Sequence, residues 1–166
     1  MGIGRAELLI LLGAIAIFGR YTLTINHTRY RNEFWIIACE GQIQAAALAD
    51  GMLASVATKA YDEATVSAFL TGGLNGLTSA AMLGAEAGEN YPDFDDIDDF
   101  NGLSLSDTSA NGLPFTINVT VAYVSPVDWD QVLDSPSYQK RVTVTVISPF
   151  VPQPLTLSRI FCYYNS

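Results

Sequence analysis

The chain has 166 residues, 49% of them hydrophobic and 15% charged, so it carries enough apolar side chains for one packed domain and is not a disordered polymer. Its 17 acidic residues outweigh 8 basic ones, giving a net charge of −9 that repels phosphate backbones, and nucleic acid is not an expected partner. One His and two Cys are too few for a His/Cys zinc cluster.

The charge is unevenly distributed. Residues 1–31 hold Arg5, Arg20, Arg29 and Arg31 against Glu7 alone, whereas residues 32–166 are strongly acidic. A basic, apolar leading segment joined to an acidic body predicts two parts in different surroundings. Leu8 to Gly19 is an uncharged run, and Ile3 to Leu23 spans about 31 Å as a helix, close to the thickness of a bilayer core. Arg20 can snorkel to headgroups, but a carboxylate at the depth of Glu7 requires a partner or a function. One reading is a cleaved secretory signal with Ala14-Ile15-Ala16 as its processing site; cutting there leaves a very short apolar core. A second is a plain membrane anchor.

A third reading rests on Gly2-Ile3-Gly4-Arg5-Ala6-Glu7 followed by Leu8 to Leu12. This stretch resembles the class III signal of type IV pilins and pseudopilins. The resemblance implies that a prepilin peptidase cuts after Gly2, that Ile3 becomes the methylated N-terminal residue, and that Glu7 serves assembly. An α-ammonium on one subunit can neutralise the Glu7 of a neighbour, turning a costly lone charge into a pair.

The helical pattern continues beyond the apolar run. No proline interrupts residues 21–60, and Phe34, Ile37, Gly41, Gln44, Ala45 and Leu48 recur at helical spacing, as do Ile36, Cys39, Ile43, Ala46 and Ala47. The expected helix covers about residues 5 to 60, near 80 Å. His27, between Asn26 and Thr28, reads as a solvated or inter-subunit histidine.

Residues 61–112 read as a variable loop with short helical pieces, punctuated by Gly72, Gly73 and Gly76. Within it Asp93, Asp95, Asp96, Asp98 and Asp99 crowd into seven residues. Such a run is either a solvated acidic loop or a Ca²⁺ site, since hard oxygen donors at alternate positions suit that ion. The EF-hand pattern itself fails, because Ile97 takes a ligand position and the glycine is misplaced.

Residues 113–166 are expected to form an antiparallel sheet. Three stretches, 115–124, 141–147 and 155–164, alternate β-branched or aromatic residues with polar ones, and prolines lie between them. The predicted fold class is α+β, with a long protruding N-terminal helix packed by its C-terminal half on a small antiparallel sheet. This order is what the pilin resemblance implies. It divides the chain into an apolar segment, 1–31, and a head, 32–166. In an extracytoplasmic chain, Cys39 on the helix and Cys162 on the last strand suggest one disulfide, worth up to about 4–5 kcal/mol for so long a loop; two buried free thiols are the alternative.

No G-x-S-x-G, P-loop or dinucleotide fingerprint occurs, and the lone His has no obvious nucleophile to serve, so no enzymatic activity is expected. The expected function is structural: a subunit of an extracellular type IV pilus-like filament, a homo-oligomer built through the N-terminal helices by dedicated assembly machinery. Before assembly the same segment would anchor it in the inner membrane. The alternative is a membrane-anchored binding protein, or a secretion-system pseudopilin, with an acidic calcium- or partner-binding loop.

Overall fold

A computed structural model describes residues 4–164, which divide between Glu40 and Gly41 into two compact units. The processing residues Gly2 and Ile3 lie outside the described residues. Helix α1 runs from Arg5 to Val56, 52 residues without a proline. It begins where the Gly4 amide donates to Glu7 Oε2 at 3.0 Å, which satisfies one of the amides a helix start leaves unpaired. It ends about four residues earlier than the periodicity predicts, and Lys59 N closes the last turn on Val56 O.

In the first unit every side chain from residue 4 to residue 37 is exposed. Thr22, Thr24 and Thr28 each donate their hydroxyl to the carbonyl four residues back, at 2.9 Å. These hydroxyls are therefore satisfied within the helix.

The second unit is an α+β body. Strands β1 (Ser104–Thr108), β2 (Pro114–Tyr123), β3 (Gln139–Ile147) and β4 (Leu155–Cys162) form one antiparallel sheet in the order β1-β2-β3-β4. Its register sets Val119 opposite Val144 and Val144 opposite Leu157. Period-two alternation turns Phe115, Ile117, Val119, Val121 and Tyr123 of β2, and Val142, Val144 and Val146 of β3, to one face. The last turns of α1 cover that face through Ala45, Ala49, Met52, Leu53 and Val56. Small residues let the helix approach closely: a Cβ at Gly41 would come within 2.9 Å of Val151 Cγ2.

The sheet has a fourth strand, β1, inside the segment read as a loop. It is short and polar at the sheet's edge, with Leu105 its one partly buried residue, so it lacks the alternation that betrays the others. The cysteines form no disulfide: both Cys39 and Cys162 are free and exposed. The reason at Cys162 is strand parity. Phe161 packs against the core, so the next side chain points to the opposite face of the sheet.

Candidate functional site

Three features carry chemistry. The first is the helical surface of the first unit. Leu8 to Leu12, Ile15, Ile17, Phe18, Tyr21 and Leu23 are all exposed, and α1 is long and apolar enough to cross a membrane. Glu7 stands in the first turn at the edge of this surface. Its position favours it, because the N-terminus of a helix carries partial positive charge.

The second feature is the acidic segment, and the five predicted ligands do not act together. Phe94, Ile97 and Phe100, spaced three apart, are core residues, and Asp98–Phe100 forms a buried 3-10 turn. This pulls Asp96, Asp98 and Asp99 inward, while Asp93 and Asp95 remain exposed. Asp96 Oδ1 accepts from the amides of Asp98 and Asp99, at 2.6 and 3.2 Å, and so fixes the turn rather than a metal. Asp98 turns to Lys140. Only Asp95 and Asp99 converge, and they do so with Glu89, with one carboxylate oxygen from each within 4.8 Å of the others.

Glu89 also belongs to a second such group, with Glu63 and Glu86. The three glutamates come from separate places, Glu63 from the start of a short helix, Glu63–Val66, and the other two from the loop after residue 82, and no sequence pattern announced them. Among the described residues no Lys, Arg or His forms an ion pair with these five acids. Asp99 is 2% exposed; its Oδ2 accepts from the amides of Asp95 and Asp96, and its Oδ1 is buried with no donor. Desolvation, then the neighbouring carboxyls of Glu89 and Asp99, push the Glu86 carboxyl up to about 8. Several hard oxygen donors, one of them buried and unmet, fit Ca²⁺.

The third feature is a buried charge centre. Lys140 has no exposed surface; its Nζ lies 2.8 Å from Asp62 Oδ2 and 2.5 Å from Asp98 Oδ1. It also donates to Tyr61 O at 2.7 Å and sits over the rings of Tyr61 and Tyr123. Asp62 is held on all sides. The Ala64 and Thr78 amides, the Thr78 hydroxyl and the Tyr123 hydroxyl all donate to it. Burial acts to raise the Asp62 carboxyl, but the Lys140 ammonium and these donors outweigh it and hold the group below the usual carboxylate range. At Asp98 burial wins: despite Lys140, its carboxyl is pushed up to about 7.

Sequence reasoning missed Lys140, although a signal was present. Position 140 has the inward parity of Val142, Val144 and Val146, and a lysine there requires a buried acid. Comparison with known proteins adds no name to this geometry: no family model, no curated protein and no solved structure matches the chain.

Proposed function

We propose that this chain is a structural subunit of an extracellular type IV pilus-like filament. Its N-terminal helices bundle into the shaft and its α+β heads form the coat; before assembly the same helix anchors it in the inner membrane. One observation carries the reading: a helix exposed over residues 4–37 whose Leu8 to Gly19 stretch is an uncharged apolar surface. Patches of that size are interaction or membrane surfaces. The internally bonded threonines and the first-turn Glu7 suit burial among copies of the same helix. Electron microscopy of material sheared from cells, labelled with antibody to the head, tests it. Labelled filaments are the expected result; protein confined to the membrane fraction as monomer overturns the proposal. Peptide mass spectrometry then reads the processing step, with methylated Ile3 at the new N-terminus expected after a cut at Gly2.

A second reading concerns the head alone. Glu89, Asp95 and Asp99, flanked by Glu63 and Glu86, would make it a calcium-binding module, and the observation favouring this is the donorless buried oxygen of Asp99. Adding Ca²⁺ should raise the melting temperature of the full chain, and Glu89→Gln should abolish the rise. An unchanged melting curve removes this reading and leaves the filament proposal intact.

A further inference from the structure

The pairing at Lys140 is asymmetric. Asp62 keeps four protein donors besides the ammonium, whereas neither oxygen of Asp98 has a hydrogen-bond partner, although the residue is only 1% exposed. Nζ is 2.5 Å from Asp98 Oδ1, yet the contact is not in hydrogen-bonding geometry. Two carboxylates on one ammonium also leave an unbalanced negative charge in an apolar core, a costly arrangement. Asp62 can carry that charge, because its donors remain when the lysine is gone. Asp98 cannot.

We propose that Lys140 and Asp98 condense to an intramolecular isopeptide bond, with Asp62 as the proton carrier. The reacting groups are held in contact within a water-poor site walled by Tyr61 and Tyr123, the conditions under which an amine and a carboxyl react without an external activating group. The ammonium passes one proton to Asp98, giving an amine beside a carboxylic acid. Nζ attacks Cγ of Asp98. A second nitrogen proton passes to Asp62 Oδ2, 2.8 Å away, and from there to the departing hydroxyl. One water leaves, the third proton stays on the amide nitrogen, and Asp62 ends as the carboxylate it began as. No electrons are transferred and no co-reactant is consumed. The bond would fasten the turn Asp98–Phe100 to the start of β3 and remove one buried ion pair. Asp62 contacts the reacting nitrogen and is the catalytic residue of this step.

The test is mass spectrometry of the full-length protein after unfolding and chymotryptic digestion. The expected result is a branched pair of peptides, one with Asp98 and one with Lys140, together lighter by one water than their sequences. Lys140→Arg should return both peptides unlinked at full mass. Asp62→Ala should leave a large unreacted fraction in soluble protein. Wild-type peptides that are unlinked overturn the proposal, as does a loss of water confined to one unbranched peptide. The wild-type result decides the matter even if a variant fails to fold. It is read on residues 60–141, so N-terminal processing and filament formation do not affect it.

Discussion

Lys140 Nζ stands 2.8 Å from Asp62 Oδ2, and neither side chain has any surface in contact with solvent. A buried pair of this kind is weak evidence of net stabilisation against an apolar substitute, but losing Asp62 leaves the ammonium with Asp98 alone and the donors around Asp62 without an acceptor. Asp62→Ala, measured on protein in which Lys140 is still an amine, should cost about 3–5 kcal/mol by urea unfolding at neutral pH. A cost within experimental error would mean that Asp98 alone suffices for the lysine.

The pH dependence of that contribution follows from the direction of the Asp62 shift. Its folded-state value is depressed, so its stabilisation is fully present above the unfolded value of about 3.9 and is lost as pH falls through the folded value. Unfolding free energies of protein with Lys140 still an amine and of Asp62→Asn should therefore differ by a constant amount at neutral pH and converge only in strong acid. Convergence near neutrality would show that another group controls the difference.

Phe100 ties the acidic segment to the core. It is 1% exposed and meets Phe94 edge-on at 5.1 Å between ring centres. Phe100→Ala should cost about 3–5 kcal/mol in thermal or chemical unfolding. Exposed Asp93, replaced by Asn, should change stability by no more than about 0.5 kcal/mol. Equal effects would contradict the inward and outward division of this segment.

With both thiols free and exposed, Cys39 and Cys162 should each react with a maleimide in native protein. Electrophoretic mobility should not change on adding reductant. A single labelled site, or a mobility shift, would contradict this.

On the filament proposal, Glu7→Ala should lower the yield of sheared filaments severely while leaving the subunit folded and in the membrane fraction. Glu7→Gln should behave the same way, because the ammonium proposed on the neighbouring helix would need a charge rather than only an acceptor. Normal yields from both variants would remove the pairing between subunits.

Much of the architecture was legible because its signals are periodic. Alternation at Phe115 to Tyr123, at Val142 to Val146 and along residues 155–162 located three strands, and the helix spacing through Gly41, Ala45 and Leu48 lies on the face that packs. The site was harder to read, for physical reasons. Asp93 to Asp99 looked like one group because they are neighbours in the chain, yet Phe94, Ile97 and Phe100 divide them between core and surface. Glu63, Glu86 and Glu89 reach Asp95 and Asp99 only through folding of the intervening chain, which no local pattern encodes. Lys140 lay one residue before the stretch read as a strand, so its inward parity went uncounted.

The order β1-β2-β3-β4 also sets a timetable for the newborn chain. Each strand pairs with its predecessor, so the sheet can close hairpin by hairpin as synthesis proceeds. The helical residues that roof it, Ala45 to Val56, are made first and find their partners last. Until β2 and β3 emerge, Met52 and Val56 lack most of their cover, and during that interval they are an exposed, aggregation-prone surface.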